Sequence, residues 1–545
     1  MSVIFENELT KARIWSAELV GFSPFDAQCL AESVLKGESV AALPGDFVLV
    51  VEGGTAKGKT FSLLATSAVA AVPYFYYAEN GNFVHGKTVF DVVQKADIPW
   101  EWNTRALNCV ALLDHCLGED SLHPYIKRVK PASVYFYMNG RLEIAKTPFP
   151  HRIFSADTVS IEDAVETFIH VFNEYCSANR TFALSMSAGI DSRVLLANFL
   201  ARGIRPVLGT MGSRDSTDIK IAQSIAQSLN LEHRCVDLKA EDYLRYGRDI
   251  VSLTSGTKTM SNWHTYIYSR EIAFPADSLH FAGANGELFR SYYFDKGVLA
   301  NIADMLPTDL LLKLLFAYKY SPRRRLAGFW TDSFGSNGAI PKIADIPKEC
   351  VHTAGKIQGS FLDKLDYIYT FQRVRHFIGN GLALYNASAA TCSPFLDCRV
   401  VEAGARLPRA ARQNDLFHRH LIERTFPELM DFPSNDTGQS LRTTERKLYW
   451  ARHQPVVGYG IQEKLFQSPG LREIYLDSPH LDQFMDRKTR LNALYNKATQ
   501  IFNFLITMHF TCGEIERIAK KERDKESYRE NTLSKYGAHG LNNRG

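Results

Sequence analysis

The sequence predicts an α/β protein in which a β-rich N-terminal part precedes a doubly wound parallel sheet. The sheet is indicated by apolar strand-like runs that alternate with segments of helical apolar spacing, in the order 181–184, 194–201, 205–212, 218–230 and 234–238. Strands and helices that alternate at this spacing form parallel sheets. A turn of small residues, Ser187–Ser192, lies between the first strand and the first helix. Ligands of such sheets bind beyond the carboxyl ends of the strands, so we expect a binding site at this turn.

The composition is that of a globular protein and argues against several classes of function. The 545 residues are 45% hydrophobic and 22% charged, and this length allows two or three domains. The net charge of +4 is small for this size and does not predict nucleic-acid binding. The nine cysteines include no C-x-x-C pair, which argues against a disulfide framework or a zinc ribbon. No signal peptide or membrane-spanning run is recognisable, so we expect a cytoplasmic protein without a membrane partner.

Residues 1–150 are predicted to form a β-rich domain. Short apolar or β-branched runs are separated or ended by glycine and Asn-Gly turns, and one helix is expected among them. The predicted strands are 47–52, 60–66, 74–77 and 133–138, and the predicted helix is 106–117. An amphipathic helix over 160–178 then leads into the parallel sheet. Helices are expected over 445–520, and 521–545 is expected to be a flexible polar tail.

One segment of the N-terminal part resembles a phosphate-binding loop by its letters alone. Gly53–Thr60 satisfies the expression G-x-x-x-x-G-K-[ST] and follows a predicted strand. A working phosphate loop must begin a helix, but Val72–Pro73 and a tyrosine-rich strand follow too soon for one. We therefore predict that this segment is a glycine-rich hairpin turn.

The Ser187–Ser192 turn has the chemistry of an anion site. Its small residues allow backbone N–H groups to approach a phosphate, and the helix that follows adds the positive end of its dipole. Asp191 is compatible with a phosphate only if a divalent cation bridges the two negative groups. The alternative is an ordinary strand-turn-helix with an aspartate near the helix N-terminus.

A second group of chemically suggestive residues, Gly283–Tyr293, follows a predicted strand at 278–282. Its glycines leave the backbone open to a ligand, and Glu287 could share one or two Mg²⁺ ions with Asp191 over a triphosphate. Arg290 could balance phosphate charge. The alternative is a glutamate at a helix start followed by a surface arginine.

Both segments resemble the asparagine synthetase and β-lactam synthetase family, which carries a PP-loop for ATP. Ser187–Ser192 resembles the loop Ser-Gly-Gly-x-Asp-Ser, with Ala188 in place of the first glycine, and Gly283–Tyr293 resembles Gly-Glu-Gly-x-Asp-Glu-Leu-Phe-Gly-Gly-Tyr. The resemblance implies ATP and Mg²⁺ as cofactors, with Asp191 and Glu287 on the metal. The implied ATP-binding residues are Met186, Ser187, Gly189, Asp191, Ser192, Met211 and Gly283, of which the methionines flank the adenine or simply pack in the core.

Later segments extend the resemblance and show departures from it. A predicted helix at 370–376 faces the same cleft in the family, so Arg290, Arg375 and His376 are the candidate catalytic residues, with a solvated helix face as the alternative. Ser393–Arg399 matches the family's Pro-Phe-Leu-Asp segment, in which Asp397 reads as structural. Ala284 stands where the family keeps a glutamate or tyrosine. The late loop at 427–441 lacks the family's lysine, whose place Arg442, Arg446 or Lys447 could take.

The N-terminal part resembles the glutaminase domain of asparagine synthetase-type proteins, an Ntn-type α+β sandwich. Family members that hydrolyse glutamine use an N-terminal cysteine, whereas Ser2 follows Met1 here and the first cysteine is Cys29. A hydroxyl is a weaker nucleophile than a thiolate, so the resemblance implies a glutamine amidotransferase-like domain without its glutaminase. The implied domains are 1–150, a synthetase domain at 151–520 and the tail at 521–545.

The function implied by the resemblance is that of an ATP-dependent, AMP-forming carbon–nitrogen ligase. It would activate a small-molecule or peptide carboxylate as an acyl-adenylate and form an amide with ammonia or a substrate amine. A nucleotide-binding relative that has lost activity and acts as a partner or scaffold remains the alternative. A tRNA-modifying enzyme with the same loop is disfavoured by the small charge and the absence of paired cysteines. A homodimer is left open.

Overall fold

The computed structural model shows an antiparallel sheet region at the N-terminal end and a parallel sheet further along the chain. The residues that the structure describes are 13–154, 157–177, 180–214, 216–290, 353–434, 438–443 and 461–537, together with Tyr292, Pro307 and Leu310. Ser2, on which the expected loss of glutaminase activity depends, lies outside these residues.

Two antiparallel sheets form the N-terminal region. The strands of the larger sheet are β1 (Arg13–Phe22), β2 (Asp46–Gly54), β3 (Thr60–Thr66), β7 (Ser133–Met138) and β8 (Arg141–Lys146), in the order β1-β2-β3-β7-β8. The strands of the smaller sheet are β4 (Phe75–Tyr77), β5 (Val84–Gly86) and β6 (Lys127–Arg128), in the order β5-β4-β6. Apolar side chains of β2 and β3 are buried on both faces of the larger sheet, since one face packs on a helix and the other faces the small sheet.

The helices of this region begin and end at recognisable caps. They are α1 (Ala27–Leu35), α2 (Val89–Ala96), α3 (Thr104–Leu113) and α4 (Phe149–Arg152). The helix predicted over 106–117 is α3. It begins earlier because Asn103 accepts a hydrogen bond from Ala106 N at 3.2 Å, and it ends where Asp114 adopts a left-handed conformation.

The prediction for the segment that resembles a phosphate loop is confirmed. Thr55 N donates to Lys59 O at 2.8 Å, and Gly58 supplies the positive φ of the turn. β2 and β3 pair directly on either side, with Gly54 opposite Thr60. The segment is a hairpin turn between antiparallel strands, so no helix start is available there for a phosphate.

The second sheet is the parallel sheet that the sequence predicts. Its strands are β9 (Phe182–Ser185), β10 (Val207–Gly212), β11 (His233–Asp237), β12 (Leu279–Phe281) and β13 (Thr391–Cys392), in the order β11-β10-β9-β12-β13. All four pairings are parallel. The chain therefore builds outward from β9 to β11 on one side and then crosses to β12 on the other, which is the doubly wound arrangement.

Helices cover this sheet and continue beyond it. The helices that precede or connect the first four strands are α5 (Ile161–Tyr175), α6 (Ile190–Ala201), α7 (Thr217–Ser228), α8 (Ala240–Thr254) and α9 (His264–Glu271). Those that follow are α10 (Phe361–Ile368), α11 (Gly379–Asn386), α12 (Cys398–Arg406), α13 (Arg409–Arg412), α14 (Leu416–Thr425), α15 (Gln462–Gln467), α16 (Pro469–Asp477), α17 (Arg487–Tyr495) and α18 (Thr499–Gly537). A π-helix, Tyr369–Ile378, joins α10 to α11 without a break.

The prediction of a flexible tail from residue 521 is wrong for most of its length. α18 continues to Gly537. The reason is visible in the sequence, because 514–536 contains neither glycine nor proline and is rich in Lys, Arg and Glu, which favour helices. Within the described part of the chain, every helix is too short or too polar to cross a membrane.

Candidate active site

The candidate site lies at the switch point of the parallel sheet, between the neighbouring strands β9 and β12. The chain leaves β9 through a loop at 186–189 and enters α6, while β12 ends in a turn at 282–285. The two loops touch because glycines stand where they meet. A Cβ on Gly283 would lie 3.1 Å from Asp191 Cβ, and one on Gly286 would lie 2.5 Å from Asp191 Oδ1. The sequence therefore places Asp191 against a backbone that only glycine permits.

The turn after β12 is held in place by hydrogen bonds to the segment that follows β13. Ser393 Oγ donates to Ala284 O at 2.7 Å, and Asn285 Nδ2 donates to Phe395 O at 2.9 Å. Asp397 caps α12 and accepts a hydrogen bond from Gly45 N at 3.1 Å, so the expectation that it is structural is confirmed. This segment fixes the turn on which Glu287 stands.

The loop after β9 is closed by hydroxyl groups. Ser192 Oγ lies 3.2 Å from Ser187 Oγ and 3.0 Å from Gly189 O, and Gly189 N donates to Ser187 Oγ at 3.1 Å. These are bonds between neutral groups, which a phosphate oxygen can replace with stronger charge-assisted ones. The three predicted residues of this loop therefore come together in a form suited to an anion.

Asp191 is buried between two cationic or potentially cationic side chains. Arg290 Nη2 donates to Asp191 Oδ2 at 2.9 Å, and His418 Nε2 lies 2.9 Å from Asp191 Oδ1 without the alignment of a hydrogen bond. Burial by itself would raise the pKa of Asp191, but Arg290 and His418 outweigh it and hold that pKa below its ordinary value. Asp191 is therefore a carboxylate at neutral pH.

Glu287 is the second carboxylate of the site. Tyr369 Oη donates to Glu287 Oε2 at 2.8 Å, and the Tyr369 ring stacks on Tyr292 at 4.7 Å between ring centroids. Burial and the neighbouring Glu287 raise the pKa of Tyr369 well above its ordinary value, so the phenol keeps its proton and remains a donor. Arg373, one turn further along the π-helix, lies over the Tyr292 ring at 5.1 Å.

The two carboxylates suit Mg²⁺ better than a metal ion whose ligands all come from protein side chains. No group of three or more His, Cys, Asp or Glu side chains that could hold a metal occurs among the described residues. Asp191 Oδ1 accepts no well-aligned hydrogen bond, although His418 Nε2 lies 2.9 Å from it. Mg²⁺ is commonly bound by one or two carboxylates, with substrate phosphates and waters completing the octahedron. Asp191 and Glu287 would be those two carboxylates.

Comparison with known proteins identifies the part of the chain that carries this geometry. Residues 166–431 match the asparagine synthase family. The matched range contains the whole parallel sheet and both candidate carboxylates. NMN synthetase from Francisella tularensis aligns with 25% of this chain and 59% of its own chain, at 16% sequence identity and a TM-score of 0.18. No curated protein matches the chain.

Within the range that matches this family, the structure does not bring Arg375 and His376 to the carboxylates. Arg375 Nη1 donates to Gly118 O at 2.6 Å and Arg375 Nη2 to Val129 O, while His376 Nε2 lies 3.0 Å from Gly118 O. Burial, Arg128 and Arg375 lower the pKa of His376 well below its ordinary value, which makes it a poor proton acceptor. Both predicted catalytic residues lie instead where the N-terminal region packs on the π-helix.

The remaining predicted residues have mixed placements. Arg290 joins the site through Asp191. Met186 and Met211 follow or end adjacent strands, but their side chains are 2% and 8% exposed and belong to hydrophobic cores. Contact of these methionines with adenine therefore stays a prediction. In the late loop, Arg442 bonds to Asp431 at 2.5 Å and to the Pro427 carbonyl, so its guanidinium is already engaged.

Three residues of the site were not predicted from the sequence. His418 reaches Asp191 from α14, Asp218 accepts a hydrogen bond from Ala188 N at 2.9 Å, and Arg193 donates to Ala188 O at 3.2 Å. Asp218 opens a predicted helix just after β10, so its position at the carboxyl edge of the sheet was a usable signal. Nothing in the sequence pattern places His418 beside Asp191.

The location of Arg375 leads to a prediction about stability. Arg375→Met should lower the free energy of unfolding by about 2 kcal/mol, because the Gly118 and Val129 carbonyls lose a buried donor. The measurement is urea denaturation of the full chain. The matched control is Arg373→Met on the partly exposed side of the same π-helix, for which a smaller loss is expected. Equal losses for the two variants would contradict the assignment of Arg375 to the packing interface.

Proposed function

We propose that the chain is an ATP- and Mg²⁺-dependent ligase that activates a carboxylate as an acyl-adenylate and then forms an amide. The observation that carries the proposal is the pair Asp191 and Glu287 beside a small-residue loop at the switch point of a parallel sheet. The match of residues 166–431 to the asparagine synthase family supports the same chemistry.

The first step needs the triphosphate to be bound with its α-phosphate exposed. The N–H groups and hydroxyls of Ser187–Ser192, with the positive end of α6, would hold the β- and γ-phosphates. Asp191 and Glu287 would hold Mg²⁺, which supplies charge neutralisation of the departing pyrophosphate. An oxygen of the substrate carboxylate attacks the α-phosphorus, the bond from the α-phosphorus to the bridging oxygen breaks, and pyrophosphate leaves with that electron pair.

Arg290 has two roles in the proposed reaction, one toward Asp191 and one toward the substrate. It neutralises Asp191 in the present structure, at 2.9 Å. Its forked donors would also suit phosphate or carboxylate oxygens of the substrate if Asp191 were shared with a bound Mg²⁺. In the second step an amine nitrogen attacks the acyl carbon, loses a proton, and AMP leaves.

The N-terminal region bears on the source of the amine. We propose that the N-terminal region is a glutamine amidotransferase-like domain without glutaminase activity. In the described part of that region, Cys109 and Cys116 are buried, and Cys29 lies within α1, after β1. None of them is the N-terminal nucleophile of a glutaminase. The amine would then be ammonia, an amine of the substrate itself, or a second molecule.

Exchange of labelled pyrophosphate into ATP tests the first step without an amine. We expect exchange with Mg²⁺ and a mixture of carboxylic acids and peptides, but none without the mixture. The mixture can then be fractionated to find the carboxylate. Nucleotide binding without exchange under every condition would favour the alternative, a nucleotide-binding partner or scaffold protein.

The Tyr369–Glu287 hydrogen bond leads to a prediction about the metal. Tyr369→Phe keeps the stacked ring but removes the donor, so Glu287 loses the group that orients it. Loss of such an outer hydrogen bond costs about 10-fold in metal affinity or activity. We therefore expect pyrophosphate exchange to need about 10-fold more Mg²⁺ for half-maximal rate. Tyr495→Phe, at an exposed tyrosine, is the matched control, and an unchanged Mg²⁺ dependence would contradict the role of Glu287.

A further inference from the structure

The middle residue of the candidate anion loop, Ala188, is held on both sides by charged side chains. Ala188 N donates to Asp218 Oδ1 at 2.9 Å, and Ala188 O accepts from Arg193 Nη2 at 3.2 Å. Ala188 itself is fully buried. Asp218 comes from α7 and Arg193 from α6, so two separate helices fix one residue of the loop.

The contact of Arg193 with the Ala188 carbonyl changes the strength of the Gly189 N–H, a backbone donor that a bound anion would contact. The Ala188 carbonyl and the Gly189 N–H belong to the same peptide group. A charged donor on the carbonyl polarises that group and strengthens the N–H as a donor. Gly189 N now donates to Ser187 Oγ at 3.1 Å, a neutral acceptor that a phosphate oxygen can displace. Arg193 thus strengthens a backbone donor of the loop without itself contacting the bound anion.

The same guanidinium joins the loop to a distant part of the chain. Arg193 Nη1 donates to Phe432 O at 2.9 Å, and Arg193 Nη2 donates to Pro433 O. The residues that receive these bonds are paired with the chain further on, because Pro433 forms a β-bridge with Ser440 and Ser434 N donates to Gln439 O at 2.9 Å. One side chain therefore contacts both the anion loop and the late residues Phe432 and Pro433.

The electrostatics of Arg193 favour a response to anion binding. Its side chain is fully buried, and its hydrogen bonds within the described residues all go to carbonyl oxygens. A buried cation without an aligned carboxylate is costly to desolvate, and a nearby anion offsets that cost. Pyrophosphate in the loop would therefore tighten the whole group of contacts around Arg193.

We propose that Arg193 and Asp218 are positioning residues that preset the anion loop, and that Arg193 couples occupation of the loop to firmer holding of residues 432–434 and 438–440. The inference rests on the proposed function, since it assumes that the loop binds the phosphates of ATP. Asp218 orients the Ser187–Ala188 peptide through its N–H. Arg193 orients the next peptide, Ala188–Gly189, through its carbonyl and transmits the change to the late residues that it also contacts.

The test uses Mg-pyrophosphate and Mg-ATP as probes on the full chain. Affinity is measured by calorimetry, and amide hydrogen exchange is followed in peptides covering 186–193 and 430–441. In the wild type, we expect either probe to slow exchange in both peptides. In Arg193→Met, binding should weaken about 10-fold, and the response at 430–441 should vanish while that at 186–193 persists. Arg193→Lys keeps the charge but cannot reach three carbonyls, so it should lose the distant response with a smaller loss of affinity.

Two further variants keep the test decisive if Arg193 variants fail to fold. Asp218→Ala should weaken pyrophosphate binding, whereas Asp218→Asn retains an acceptor for Ala188 N and should restore most of it. Arg202→Met, at an exposed arginine beyond the end of α6, is the control and should leave both responses intact. Wild-type binding with no change at 430–441 would overturn the coupling alone, and equal affinities of Asp218→Ala and wild type would overturn the role of Asp218. A wild type that binds neither probe would overturn the proposed function and the inference together.

Discussion

Asp191→Asn is expected to reduce pyrophosphate release from ATP by about 100- to 1,000-fold, the range seen when one strong electrostatic contact to a transition state is removed. The amide is nearly isosteric but carries no charge, so the Mg²⁺ of the proposed mechanism would lose an anionic ligand where the two loops meet. The carboxylate also balances Arg290 at 2.9 Å, and an asparagine would leave that cation facing the incoming triphosphate. ATP binding should therefore fall much less than turnover. The measurement is steady-state pyrophosphate release with calorimetric binding of ATP alongside.

Loss of charge at a helix start needs its own control. Glu162→Gln provides it, because Glu162 occupies in α5 the position that Asp191 occupies in α6 and is largely exposed. This variant should release pyrophosphate at the wild-type rate. Thermal unfolding of both variants separates lost chemistry from a lost fold. An Asp191→Asn variant that folds and keeps full activity would contradict the proposed role of Asp191 in pyrophosphate release.

Gly379→Ala is expected to lower the free energy of unfolding by about 3 kcal/mol. Gly379 begins α11 where the N-terminal region meets it, and a Cβ there would lie 1.8 Å from Ala71 O. The Ala71 peptide cannot retreat easily, because its N–H donates to Asp46 Oδ1 at 3.0 Å and its carbonyl accepts from Arg128 at 2.8 Å. The overlap is therefore between two fixed backbones. Urea denaturation of the full chain measures the loss.

The control for this substitution is Gly513→Ala. Gly513 lies inside α18 with nothing within 4 Å of an added Cβ, and alanine favours a helix over glycine by about 1 kcal/mol. We expect a small gain in stability there. If Gly379→Ala were as stable as the wild type, the close contact of the N-terminal region with α11 would be wrong.

The parallel sheet and the two loops at its switch point could be predicted because their signals are local. Apolar strand runs, helical spacing and the small residues at 187–192 each determine structure within a few positions of the chain. Asp191 and Glu287 follow these signals directly, and the structure brings their two loops into contact. Gly286 shows why, since its missing side chain is what lets the loops touch.

The orientation of side chains on the 369–378 helix could not be predicted, because it depends on the kind of helix. The seven-residue step from Tyr369 to His376 spans about two turns of an α-helix and would place both on one face. A π-helix has wider turns, so the same step leaves His376 on the other side. Tyr369 and Arg373 then lie toward Glu287, while Arg375 and His376 lie toward Gly118. His418 was missed for a different reason, since its contact joins residues more than two hundred positions apart.

The most direct test of the ligase account is the identity of the products of ATP turnover. The wild type is incubated with Mg²⁺, ATP and a mixture of carboxylic acids, peptides and amines that includes ammonium, beside Asp191→Asn and a sample without the mixture. The account predicts AMP and pyrophosphate in equal amounts, only with the mixture and only from the wild type. ADP and orthophosphate as the products would show attack at the γ-phosphate instead and would contradict it.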